Sequence, residues 1–196
     1  MKILLLSNNN NAQVLYDKLT RKGCDVTLYP NAIDVPFIES FQPDLVVSYN
    51  YRHIVKKDVI ELLGKRIVNL HCSYLPWNKG ASPNLWSFIE NSPKGVTIHQ
   101  LEAGLDTGKI IVQKEITFDE DTETLRTSYD RLNEEIVNLF MENIDIISSG
   151  EYEPIDQIGK GSYHTSAMLR EFLDGESPNL DMTVTEFRKQ IAEITK

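Results

Sequence analysis

The chain has 196 residues, 41% hydrophobic and 25% charged, with 29 acidic side chains against 20 basic ones and a formal net charge of −9. That balance describes an ordinary globule able to bury a core. The acidic excess argues against nucleic acid gripped by its phosphates and against an anionic membrane surface, both of which need clustered Lys and Arg. The N-terminal apolar run, residues 3–6, is far shorter than the roughly 18–20 residues of a membrane span and too short for a signal-peptide core. Two cysteines, Cys24 and Cys72, exclude a disulfide framework and a four-Cys zinc site. A reduced, cytoplasmic chain is expected.

The first half alternates short apolar runs with helical spacing. Residues 2–6 predict a buried strand and 7–11 a polar turn. A helix capped by Asn10 or Asn11 runs to Thr20, with Val14, Leu15 and Leu19 on one face and Gly23 as its stop. A strand at 26–29 ends at Pro30, and helical turns at 35–41 precede Pro43. A strand at 45–48, a helix at 57–63 ended by Gly64 and a strand at 66–71 follow. Strands separated by helices predict right-handed crossovers and a mostly parallel sheet, with ligands beyond the carboxyl ends of its strands.

Past His71 the chain is polar and punctuated by Pro and Gly as far as Gly80. Ser82 and Pro83 predict a cap and a first helical residue for a helix reaching about Glu90, with Trp86 and Phe88 inside it. Residues 96–101 and 109–116 alternate as strands. The loop between them holds Gly104 and Gly108, which permit positive φ and close approach to a ligand. A long helix begins near Thr122. Leu125, Tyr129, Leu132, Ile136, Leu139 or Phe140, and Ile144 form its apolar stripe, and Gly150 ends it. A short helix then precedes Thr183 and Glu186, spaced as a capping box for a terminal helix with Phe187, Ile191 and Ile194 on one face. No repeat or clear linker interrupts the chain. Residues 1–150 are read as a core, and 151–196 as an extension packing on it without forming a separate domain.

Asn69 and His71 stand two apart at the carboxyl end of a predicted strand, so both side chains point the same way, at the end where parallel sheets build sites. An amide and an imidazole aimed at one point can hold a developing oxyanion. Two polar residues tied to neighbouring loops is the plainer alternative. Asp106, in a glycine-bounded turn, can fix a histidine tautomer or simply bond its own backbone. The four histidines, His53, His71, His99 and His164, show no metal-ligand spacing, and no nucleophile elbow surrounds Ser73. The turn Ser7-Asn8-Asn9-Asn10-Asn11 lacks the glycines of a dinucleotide fingerprint. No metal is expected.

Asn69-Leu70-His71-Cys72-Ser73-Tyr74-Leu75-Pro76-Trp77-Asn78-Lys79-Gly80, followed by Leu105-Asp106-Thr107-Gly108, resembles the formyltransferase family that uses N10-formyltetrahydrofolate. The order and the separation of His71 from Asp106 both match. The resemblance covers about residues 1–150 and the tail more weakly. It implies an α/β, Rossmann-like formyltransferase fold, with a mostly parallel twisted sheet flanked by helices and a short C-terminal extension. It implies Asn69, His71 and Asp106 as catalytic residues: the first two stabilise the tetrahedral oxyanion, and Asp106 keeps His71 protonated and helps collect the amine proton. The folate, as co-substrate, would lie along Tyr51, Arg52, His53 and Ile54 and along Leu105 and Gly108.

Three subfamilies differ in the amine they formylate. Methionyl-tRNA formyltransferases carry an added basic domain, which this acidic sequence does not show. Glycinamide ribonucleotide formyltransferases hold a phosphate on a glycine-rich loop, where this chain has consecutive asparagines. Formyltransferases of nucleotide-linked amino sugars often carry a segment like Gly161-Ser162-Tyr163-His164. The last resemblance implies a UDP- or dTDP-linked 4-amino-4,6-dideoxy sugar, used for surface polysaccharide or nonulosonic acid. It implies substrate contacts at Ser73, Trp77, Asn78, Lys79, Asn84, Tyr163 and His164. Trp77 or Tyr163 would stack on the base and Lys79 would meet the diphosphate, whereas Trp86 is read as core. No nucleic acid or membrane partner is expected, and a homodimer is. The alternatives are a glycinamide ribonucleotide formyltransferase and a non-catalytic folate- or nucleotide-binding module.

Overall fold

A computed structural model describes residues 1–194. Its elements alternate as the sequence predicts: β1 (Lys2–Leu6), α1 (Ala12–Arg21), β2 (Asp25–Tyr29), α2 (Val35–Phe41), β3 (Leu45–Tyr49), α3 (Lys57–Leu63) and β4 (Ile67–His71). Then come β5 (Lys79–Gly80), α4 (Pro83–Ile89), β6 (Gly95–Gln100), β7 (Ile110–Glu115), α5 (Leu125–Ser149), β8 (Tyr163–His164), α6 (Ser166–Phe172) and α7 (Val184–Ile194). The main sheet has the order β2-β1-β3-β4-β6-β7. β1 pairs in parallel with β2 and β3, and β3 with β4. Gln100 N–H donates to Lys109 O, and Ile116 N–H to Lys94 O, so β6 and β7 run antiparallel. This is the α/β, mostly parallel, helix-flanked architecture expected.

Two compact units divide the chain. The first comprises Met1–His71, Ile98–Val112 and Ile136–Gln157. β1 and β3 lie between neighbours and their apolar residues are buried on both faces, which is why they read as unbroken apolar runs. Leu4, Leu6, Val46 and Ile67 pack against Ile38 of α2 and Val59 and Leu63 of α3. The order β2-β1-β3 reverses the winding between β1 and β3, the place where doubly wound sheets open a crevice at their carboxyl ends.

The second unit comprises Cys72–Thr97, Gln113–Glu135 and Ile158–Lys196. Phe88 of α4, Leu125 of α5, Leu173 beyond α6, and Val184, Phe187 and Ile191 of α7 form its core. The Thr183–Glu186 capping box is present: Glu186 Oε2 accepts from Thr183 N at 2.8 Å and Thr183 Oγ1 accepts from Glu186 N at 3.2 Å. Ile194, expected on the apolar face, is about half exposed.

Three local expectations are corrected. Asn11 makes no side-chain cap to α1. Instead Asn9 Oδ1 accepts from Asn11 N, and Ser7 Oγ from Asn9 N, so the asparagine run folds the turn before the helix. Val14 faces outward, while Leu15 and Leu19 are buried. Ser82 sits in the left-handed region at φ 53° and caps nothing with its side chain, although Pro83 does open α4. The parallel pairing of β5 with β8, only two residues each, has no sequence period that would reveal it.

Candidate active site

β4 ends on Asn69 and His71. Val68 and Leu70, which alternate with them, are buried, and the alternation turns the polar pair to one face of the sheet. Asp106 is carried by the loop between β6 and β7. Gly104 has φ 141° and Asp106 φ 52°, a left-handed state that aspartate tolerates better than most residues. Gly108 lies against the Gln100 carbonyl so closely that a Cβ would overlap it. Gly108→Ala must therefore push the loop or the end of β6 aside. At about 1–3 kcal/mol for overpacking, and about 2–4 °C per kcal/mol in a domain of this size, the melting midpoint should fall by several degrees. An unchanged midpoint in calorimetry would contradict the close approach.

Within the first unit these residues converge. Asn69 Nδ2 donates to Asp106 Oδ1 at 3.2 Å, and His71 Nδ1 stands 3.6 Å from Asp106 Oδ2. A fourth side chain, which sequence reasoning left unassigned, completes the group. His99 Nε2 is 3.1 Å from Asn69 Nδ2 and 3.5 Å from Asp106 Oδ1. The His71 and His99 rings meet edge to face, with centroids 6.3 Å apart. Its neighbours decide the tautomer of His99. Nδ1 lies 2.7 Å from the Gln100 carbonyl, which only accepts, so Nδ1 carries a proton. In the neutral ring Nε2 is then an acceptor, and the atom that faces both it and a carboxylate must be the Asn69 nitrogen. Histidine and carboxylate together thus orient the amide. The sequence held one signal for His99: a polar residue near the end of the apolar run Val96-Thr97-Ile98, pointing with Thr97 away from its apolar neighbours.

His71, His99 and Asp106 are all buried, so charge placed there interacts strongly. Cys72 adjoins His71 in sequence, but burial pushes its thiol up to about 12. The nucleophilic form is the thiolate, so Cys72 is no covalent acceptor. Among the described residues no group of three or more His, Cys, Asp or Glu is arranged to hold a metal ion.

Of the residues assigned to the folate, Tyr51, Arg52, His53 and Ile54 follow β3 in the first unit. Asn8 ties this loop to the ends of β1 and β2. Its Oδ1 accepts from Arg52 N at 3.0 Å, its Nδ2 donates to Pro30 O at 2.8 Å, and its own N–H donates to Asn50 O. The asparagine run does with side-chain amides what a glycine loop would do with bare backbone. Tyr51 donates to Asn31 O at 2.5 Å; burial, helped by Tyr29, raises its hydroxyl to about 12 and keeps it a neutral donor. His53 Nε2 lies 3.1 Å from Pro30 O. Ile54, at 89% exposure on the loop after β3, and Leu105, at 52% on the loop between β6 and β7, are apolar side chains left open to solvent.

The residues assigned to the second substrate all fall in the second unit. Ser73 Oγ donates to Trp77 O at 2.8 Å. Asn78 is fully buried: Nδ2 donates to Ser92 Oγ and Oδ1 accepts from Ser162 Oγ. Asn84 Nδ2 donates to Ser128 Oγ at 3.0 Å. His164 is buried and stacked on Trp86 at 3.8 Å, with Nε2 3.0 Å from Glu90 Oε1. Trp86 is core, as expected. Trp77 and Tyr163 keep 37% and 50% exposure, and Lys79 is half-buried in β5. The ladder of β5 with β8 places Lys79 opposite Tyr163.

The fold and this cluster define a Rossmann-like protein with a polar site at the carboxyl end of its sheet. The chain belongs to the formyl transferase family, whose model matches residues 27–144, a span that includes Asn69, His71, His99 and Asp106. It is similar to the formyltransferase PseJ from Anoxybacillus kamchatkensis, solved in complex with UDP-4,6-dideoxy-4-formamido-L-AltNAc and tetrahydrofolate. Identity is 45% and the TM-score 0.85, covering 95% of this chain and 97% of that one. It is 31% identical over 166 residues to the dTDP-4-amino-4,6-dideoxyglucose formyltransferase of Mycobacterium bovis, covering 78% of this chain and 69% of that protein. It is 33% identical over 127 residues to the methionyl-tRNA formyltransferase of Thermodesulfovibrio yellowstonii, covering 64% of this chain and 41% of that protein. The chain spans less than half the length of the methionyl-tRNA formyltransferases matched first.

Proposed function

We propose that this chain transfers the formyl group of N10-formyltetrahydrofolate to the amine of a UDP-linked 4-amino-4,6-dideoxy sugar. The carrying observation is the convergence of Asn69, His71, His99 and Asp106 at the end of β4 and its neighbouring loop. The likeness to PseJ, solved with a UDP-linked 4-formamido sugar and tetrahydrofolate, favours UDP over dTDP and position 4 of the sugar.

The reaction proceeds by addition and elimination. The sugar amine attacks the formyl carbon and a C–N bond forms. Negative charge gathers on the formyl oxygen, where the His71 imidazolium, its Nδ1–H turned to Asp106, presents Nε2–H. Asn69 Nδ2 can swing one N–H from His99 to the same oxygen. Asp106 takes a proton from the attacking amine, directly or through water. As the oxyanion collapses, the bond from carbon to N10 breaks and the proton passes to N10. The products are a formamide and tetrahydrofolate, with no metal or covalent enzyme intermediate. Trp77, Lys79 and Tyr163 belong to nucleotide-sugar recognition, with Trp77 or Tyr163 against the base and Lys79 at the diphosphate; Ser73, Asn78, Asn84 and His164, expected as contacts, are buried on internal partners and hold this region in place from behind. Tyr51, Arg52, His53, Ile54, Leu105 and Gly108 belong to the folate. The free cysteines Cys24 and Cys72 accord with work in the cytoplasm, and the working form is a homodimer.

Thermal-shift screening tests the ligand classes. A ligand at about 100 times its Kd adds about 2.7 kcal/mol to stability, roughly 5–10 °C for this size. UDP and tetrahydrofolate should each produce a shift of that order. Stabilisation by glycinamide ribotide and by neither UDP nor dTDP would overturn the substrate assignment.

A further inference from the structure

We propose that Gln157 is a positioning residue for Asp106, an inference that rests on the functional reading above. Gln157 Nε2 donates to two carbonyls of the same loop, Asp106 O and Gly108 O, each at 2.8 Å. An amide atom lodged between two acceptors must be the nitrogen, and both its hydrogens are used. The other end of the side chain is sacrificed to this: Oε1 is buried and without a hydrogen-bond partner. A buried unpaired acceptor is costly, so the residue is spent on its two donations.

Gln157 is itself anchored. Ile155 and Ile110 exchange N–H···O bonds at 2.9 and 2.8 Å, pinning residues just before Gln157 to the start of β7. Lys109 reaches Asp156 at 3.2 Å. The loop it grips has left-handed backbone at Asp106 and carries the carboxylate that meets Asn69, His71 and His99. Held at the carbonyls on either side of Thr107, the carboxylate cannot tilt away from the two imidazoles. Misplacement by about 1 Å costs on the order of 100-fold in rate.

The test uses Gln157→Ala and the isosteric Gln157→Glu, which keeps volume but cannot donate twice at neutral pH. Each is made in the wild-type and Asp106→Asn backgrounds. In the wild-type background kcat should fall roughly 10- to 100-fold, with both KM values within about threefold. In the Asp106→Asn background kcat should change by less than about twofold, because the residue acts through the carboxylate already removed. Equal losses in both backgrounds, as a merely structural role would give, overturn the proposal, as does unchanged kcat. Amide exchange at residues 104–108 should accelerate in Gln157→Ala, and the His71 imidazole titration, followed by NMR, should move. If the wild-type chain formylates no amine offered, the functional reading fails. The exchange and NMR readouts still decide the clamp, since protection unchanged at 104–108 rejects it.

Discussion

Asp106→Asn is expected to lower turnover by about 10²- to 10⁴-fold, the range for loss of a positioned acid–base group, while the protein stays folded. The substitution keeps the shape and removes the charge. Asp106 offers one oxygen to Asn69 and the other to His71. An amide in its place turns its NH2 toward one of two donors, so one contact becomes repulsive. It also cannot take a proton from the attacking amine, and the His71 imidazolium loses its counter-charge. Substrate binding makes little use of this carboxylate, so the loss should fall on kcat with KM nearly preserved. Steady-state kinetics beside a melting curve checks this. A kcat close to wild type would remove Asp106 from the chemistry.

His71→Ala should cost about 10²- to 10³-fold in kcat, the effect of deleting one oxyanion donor. The imidazole is buried and oriented by Asp106, so its N–H meets developing charge without first being stripped of water. Ground-state binding gains little from a donor matched to the tetrahedral oxygen, so tetrahydrofolate affinity measured by calorimetry should be nearly unchanged. A large loss of affinity with turnover intact would assign His71 to folate binding instead.

The inner strands β1 and β3 were legible because burial on both faces writes them as apolar runs, and the helices because their apolar residues recur at three and four. Asn69 and His71 were legible as a pair because strand alternation is a property of sequence alone, and Asp106 because its loop is marked by glycines. His99 was not. Its partner Asn69 lies on a different strand, and only the neighbouring of β4 and β6 in the sheet puts the imidazole there. Gln157 was invisible for the same reason, being 51 residues from the carbonyl it grips. Asn10, Asn11 and Ser82 misled as caps because the same polar residues also build turns, and only backbone geometry separates the two uses. The task of Asn8 in the asparagine run, tying together the turns that follow β1, β2 and β3, depends on tertiary neighbours that the sequence does not show.

One measurement bears on the central claim most directly. Purified protein is incubated with N10-formyltetrahydrofolate and a UDP-linked 4-amino-4,6-dideoxy sugar, and the sugar nucleotide is analysed by mass spectrometry and NMR. The account predicts a formamide on the sugar nitrogen, formed only when both substrates are present and nearly abolished in Asp106→Asn. An unmodified sugar from protein shown to bind both ligands would contradict it.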